Sequence, residues 1–111
     1  MLVQDSTLDW KPEPDFPRTF SKTLVTSAQT ALLSAHRLRV EPGGEVVCHA
    51  HQRETEMHYI ISGQGQALIG DRWEEVRAGD VVLAPPDVPH GIRNHSAAPL
   101  FFLCVFAPPL V

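Results

Sequence analysis

The chain has 111 residues, 43% of them hydrophobic, and a formal net charge of -4, which leaves room for one domain around one core. Its nine basic residues are scattered, so no dense positive patch exists to neutralise phosphates, and neither nucleic acid nor an anionic membrane surface is expected as a partner. The longest apolar run, Leu100 to Ala107, is far too short to cross a bilayer, and two cysteines allow at most one bridge.

From the amino terminus, MLVQDSTLDWKPEPDF lacks the basic start and apolar stretch of a secretory leader and is too acidic for a mitochondrial presequence. The chain therefore reads as cytoplasmic, a setting in which Cys48 and Cys104 are expected as free thiols. Pro12, Pro14 and Pro17 each remove a ladder donor, so residues 1–17 read as an extended arm, suited to docking on a neighbouring subunit, ahead of a domain over residues 18–111. That domain divides into short apolar segments: RTFSKTLVT, ALLSAHRLRV, EVVCHAH, EMHYIIS, GQALIG, RWEEVR, DVVLAP, HGIRNH and LFFLCVF. Turns separate them: PGG at 42–44, a tight hairpin at Gly70-Asp71, AGD at 78–80 and PPDVP at 85–89. No helical period of useful length competes, so the fold class is all-β, a sandwich or barrel.

The chemistry gathers around EVVCHAH and PPDVPH. His49 and His51 stand two residues apart, so on a strand both imidazoles leave the same face and can converge on one ion, while Cys48 and Ala50 point away. After the connection QRET, Glu56 opens the next strand and can bring a carboxylate beside them; His90 follows the proline-stiffened turn. Three neutral imidazoles and one carboxylate suit one divalent Fe, Mn, Ni, Co or Zn ion. His58 shares the parity of Glu56 and Ile60 and should point inward, as a catalytic proton shuttle, a substrate hydrogen bonder, an extra ligand or a core histidine.

His36 is carried inward with Leu38 and Val40 and reads as a structural residue first and a cavity candidate second, while His95 sits at a surface turn. Cys104 lies in a run apolar on both faces and reads as a buried inert thiol, lining the pocket if its parity turns it inward. Trp10 and Trp73 read as packing residues. Met57, Tyr59 and Ile61 have the parity opposite to Glu56, and an outward apolar strip of that kind implies a homodimer or higher assembly that covers it.

The spacing around these residues resembles the two signature motifs of the cupin superfamily. The first runs Gly43, five residues, His49-Ala50-His51, four residues, Glu56, six residues, Gly63; the second runs Gly79, five residues, Pro85, then His90 and Asn94. One departure is Asp87, two residues after the proline, where the family usually has glycine; aspartate tolerates unusual backbone angles better than most residues. The resemblance spans residues 43–94, with compatible strands on both sides. It implies a double-stranded β-helix, or jelly-roll, barrel of six to eight strands, with His49, His51, Glu56 and His90 as metal ligands and a substrate cavity above them. Asn94 reads as a strand-end hydrogen bonder.

The superfamily holds dioxygenases, isomerases, decarboxylases, lyases, cyclases and non-enzymatic binders, so the fold does not name the reaction. The leading expectation is a metal-dependent enzyme acting on a small polar metabolite that chelates the ion through adjacent oxygens. It reads first as an oxidoreductase of dioxygenase type, with a Lewis-acid isomerase, lyase or cyclase as the alternative. The competing class is a non-catalytic small-molecule binding or sensor module, against which stands the lack of a helix-turn-helix pattern.

Overall fold

The computed structural model describes residues 1–111 as ten strands and one short 3-10 turn, Asp5–Thr7. In chain order the strands are β1 (Lys11–Pro12), β2 (Thr19–Val25), β3 (Ser34–Val40), β4 (Glu45–His49), β5 (Thr55–Ser62), β6 (Gln64–Ile69), β7 (Arg72–Arg77), β8 (Val81–Ala84), β9 (His90–Arg93) and β10 (Leu100–Ala107). Six of them form one antiparallel sheet, ordered β1-β2-β3-β10-β5-β8, and the other four a second, ordered β4-β9-β6-β7. The arrangement is the all-β jelly-roll barrel implied by the sequence. Ten strands exceed the six to eight implied by the resemblance, and one of the additional strands, β1, comes from the arm and pairs beside β2 at the outer edge of the larger sheet.

Period-two patterning decides which side chains meet inside. Along β10, Leu100, Phe102, Cys104 and Phe106 are buried while the residues between them are half-exposed. Along β5 the inward set is Glu56, His58 and Ile60. The core joins Leu38, Val40, Ile60 and Phe102 of the larger sheet to Val46, Ala67, Val76 and Ile92 of the smaller one. Asn94 is fully buried but satisfied: its amide nitrogen donates to the carbonyls of Val40 (2.9 Å) and Ala98 (2.8 Å), and its oxygen accepts from Ser96.

Several segment boundaries shift from the sequence reading, and two of the shifts involve β3 and β4. β3 begins at Ser34, so Ala31 to Leu33 lie outside it and Leu32 is exposed. β4 stops at His49 rather than continuing to His51, because its ladder partner β9 begins opposite, at His90, and no strand remains beyond to pair with.

Pro12 occupies the edge strand β1, where its missing donor costs no ladder bond. The arm lies against its own barrel. Asp5 pairs with Lys22 and Arg37, and the Trp10 ring packs 6.0 Å from Phe101 beneath Lys22 (4.8 Å) and Arg39 (4.9 Å). Trp73 likewise packs under the Arg93 guanidinium at 3.8 Å. Cys48 is exposed, Cys104 is buried, and both are free thiols. No helix is long and apolar enough to cross a membrane.

Candidate metal centre

Three strand ends and a loop bring the sequence-derived cluster together. His49 ends β4, His51 follows in the loop after it, Glu56 is the second residue of β5, and His90 opens β9 directly opposite His49. Asp87 secures the two loops to each other: its amide donates to the His51 carbonyl at 2.8 Å while its own backbone is left-handed, at φ 67°. Aspartate thus fills the conformation for which the family pattern favours glycine. One donor atom from each of His49, His51, Glu56 and His90 lies within 4.8 Å of all the others. His49 and His51 converge even though only the first is on a strand.

Backbone carbonyls set the tautomers. Nδ1 of His49 lies 2.7 Å from the Val47 oxygen and Nδ1 of His90 lies 3.0 Å from the Val88 oxygen. A carbonyl can only accept, so Nδ1 carries the hydrogen in both rings, and Nε2 is the nitrogen left for other work. His90 Nε2 nevertheless sits 2.8 Å from Glu56 Oε1. In the neutral ring that is a lone pair facing a carboxylate oxygen, an arrangement stable only when a proton or a metal ion lies between them. His51 repeats the theme: Nε2 is 3.1 Å from the same oxygen, but the geometry is not that of a hydrogen bond, and this buried nitrogen has no other partner. Without a metal the proton takes the shared position. Burial alone would lower the His90 pKa, but the hydrogen bond and charge of Glu56 outweigh it and raise it. The residues present therefore fit a bound divalent cation, which imidazole nitrogens and carboxylate oxygen accept across the Fe-to-Zn series.

Glu56 is 4% exposed and uses its two oxygens differently. Oε1 faces His51 and His90; Oε2 receives His58 Nε2–H and, at 3.1 Å, the Cys104 thiol. Burial would push this carboxyl up, but the hydrogen bonds from His58 and His90 hold it well below the usual carboxylate range, so it is ionised. The Cys104 thiol moves the other way: burial, reinforced by the Glu56 charge, raises its pKa well above the ordinary value and keeps it an S–H donor. His58 is buried, as its parity required, and because Nε2 serves Glu56, its Nδ1 is a bare buried nitrogen with no partner. His49, partly buried, has its pKa lowered, chiefly by desolvation, which favours the neutral form a metal needs.

Above the cluster lies a cavity of about 220 Å³ walled by Leu38, Val46, Phe102 and Phe106 together with the polar side chains. Part of its lining was not legible in the sequence. Phe16, from the proline-rich arm, stacks on His49 at 5.5 Å; Glu13 and Ser21 also line the space, as does Leu110 near the carboxyl terminus. No local motif marks these residues: the path of the arm across the barrel mouth brings in Glu13 and Phe16, while Ser21 comes from β2 and Leu110 from the segment after β10. His36 faces the cavity beside Phe106 with a buried, unpartnered Nε2, the second of the two readings its parity allowed. His95 is exposed and far from this chemistry.

A family model described as a cupin domain (Cupin_2) matches residues 36–106. An uncharacterized protein of Methanocaldococcus jannaschii is 36% identical over 70 residues, covering 63% of this chain and 56% of its own length. An oxalate-binding protein of Thermotoga maritima is 33% identical over 69 residues, covering 62% of this chain and 57% of its own. The matches thus span rather more than half the length of these curated relatives. Among solved structures, a predicted oxalate decarboxylase from Thermotoga maritima superposes with a TM-score of 0.89 at 24% identity, over 97% of this chain and 99% of that one, a likeness of fold.

Proposed function

The chain belongs to the cupin family, and from that premise we propose that His49, His51, Glu56 and His90 hold one divalent transition-metal ion that binds a small metabolite through adjacent oxygens. The observation that carries this reading is the convergence of one donor atom from each of the four side chains to within 4.8 Å of all the others, with His90 Nε2 and Glu56 Oε1 at 2.8 Å, a spacing that a proton or a metal ion must bridge. When bound, such an ion would polarise a chelated carbonyl or carboxylate as a Lewis acid. The Thermotoga maritima relative bears the name of a protein that binds oxalate, itself a ligand with adjacent oxygens, and this supports the same class here.

The chain's own residues supply the remainder. His58 and Cys104 donate to Glu56 Oε2 and so hold its other oxygen toward His51 and His90. His58 Nδ1, bare and on the cavity wall, is the base that accepts a proton from a substrate carbon or hydroxyl next to the chelating group. Phe102 and Phe106 exclude water from that transfer. A positioned base at this site serves proton transfer in an isomerase, lyase or cyclase, and in a dioxygenase it would deprotonate a chelating hydroxyl. The second reading, a non-catalytic binder, is supported by the relative's printed name.

The deciding experiment loads the chain with each of Fe(II), Mn(II), Co(II), Ni(II) and Zn(II). It then follows oxalate binding by calorimetry, oxygen uptake with diols and diketones, and solvent-deuterium exchange into 2-oxo acids. Exchange that His58→Ala abolishes while binding persists is the expected result. Oxygen uptake would move the reading to the dioxygenase branch, binding with neither activity to the binder, and failure to take up any metal would remove the proposal.

A further inference from the structure

β10 lies between β3 and β5, and its register sets Cys104 opposite His36 on one side and His58 on the other. Three side chains thus form one row across the inner face of the larger sheet. His58 and Cys104 are committed to Glu56, but His36 is not. Its ring meets the edge of Phe106 at 5.7 Å, and Phe106 in turn meets His51 at 5.2 Å, so one phenyl ring stands between His36 and the metal ligands. His36 Nε2 is buried without a hydrogen-bond partner, a state that folding penalises unless a ligand supplies the missing bond.

The arm brings a second polar group to the same cavity. Glu13 is held by its amide, which donates to the Thr19 carbonyl at 2.9 Å, and by Ser21, whose hydroxyl donates to Oε1 at 2.5 Å. Its other oxygen receives nothing from the chain. No ion pair joins Glu13 to a lysine or arginine; Lys22 and Arg37 pair with Asp5, and Arg39 with Glu41. The cavity therefore carries an uncompensated carboxylate and an unpartnered imidazole nitrogen on one side, the metal ligands on another, and apolar side chains between them.

We propose that Glu13, Ser21 and His36 form a second recognition point that reads a hydroxyl or ammonium donor on a ligand whose opposite end chelates the metal. This rests on the metal-binding reading above and narrows it. The carboxylate of Glu13 repels a second acidic terminus, so a longer dicarboxylate is disfavoured, while oxalate is short enough to occupy the metal end alone. Burial lowers the His36 pKa, leaving its ring neutral and able to accept from such a donor.

The test is calorimetric titration of the metal-loaded full chain with 2-oxo acids of matched length ending in hydroxyl, ammonium, methyl or carboxylate, and with oxalate as the probe of the metal end. The hydroxyl- and ammonium-terminated acids should bind at least about tenfold more tightly than the other two, the factor expected for a hydrogen bond to a charged group. Glu13→Leu and His36→Phe should abolish that preference while leaving metal content and oxalate affinity unchanged. Glu13→Leu alone suffices if His36→Phe disturbs folding. Equal affinity for all four termini, or a preference that survives Glu13→Leu while oxalate still binds, would overturn the second recognition point and spare the metal site. A native chain that takes up neither metal nor oxalate would remove the premise, and the inference with it.

Discussion

Replacing Glu56 by Gln keeps the side chain's shape and removes the one negative charge among the four ligands. The glutamine oxygen can still accept from His58 and Cys104, which turns its NH₂ toward His51 and His90, where the cation belongs. Breaking a buried, hydrogen-bonded charge pair from one side costs about 3–5 kcal/mol. At about 1.4 kcal/mol per factor of ten, the metal dissociation constant should rise by roughly two to four powers of ten. His58→Ala and Cys104→Ala act on the same carboxylate from behind and should weaken metal binding by only about 10–100-fold. Competition between the chain and a chromogenic chelator for Co(II) measures all three, with circular dichroism confirming that each variant stays folded on its apolar core. Metal held by Glu56→Gln as tightly as by the native chain, or Cys104→Ala proving the more damaging change, would refute the division of labour between the two carboxylate oxygens.

Three further outcomes are expected. Metal affinity should fall on acidification, because in the metal-free chain the raised His90 pKa means a proton must leave that ring before the ion enters; one displaced proton gives about a tenfold loss per pH unit below that pKa. Dissociation constants that stay flat from neutral pH to below about pH 6 would contradict this. The outward faces of β5 and β8 present Tyr59 (45% exposed), Ile61 (41%), Val81 (58%) and Leu83 (54%) side by side, and we propose that a second copy covers them; Val81→Glu with Leu83→Glu should yield a monomer by light scattering. A native chain already monomeric at micromolar concentration would exclude that cover. Phe102, 1% exposed and 4.7 Å from the His58 ring, should cost about 3–5 kcal/mol on replacement by Ala, read from urea unfolding; a change under about 1 kcal/mol would place the core elsewhere.

The parts of this structure that the sequence disclosed are those governed by local rules. Alternation along EMHYIIS marked which residues of β5 turn inward, including His58, whereas LFFLCVF is apolar on both faces and only the structure shows that Cys104 faces the interior. Glycine and proline clusters marked the turns, and motif spacing identified the four side chains that meet. His51 arrived by a different route from the one expected. The strand ends before it, and a loop tied by Asp87 does the positioning, because strand length depends on where the partner strand begins. Glu13 and Phe16 were missed for a related reason: an arm with three prolines has no periodicity, and its course over the cavity is set by tertiary contacts such as Asp5 with Arg37 and Trp10 with Phe101. The role of His36 also lay out of reach, since parity predicts that a side chain points inward but not whether it finds a partner there.

Elemental analysis of the native chain and His90→Ala, each purified without added metal and then equilibrated with Fe(II), Mn(II), Co(II), Ni(II) or Zn(II), bears most directly on the claim that the four ligands share one ion. The native chain should retain close to one equivalent of a divalent transition metal, and folded His90→Ala should retain little. A native chain that stays metal-free under all five conditions, or a variant that binds as well as its parent, would contradict it.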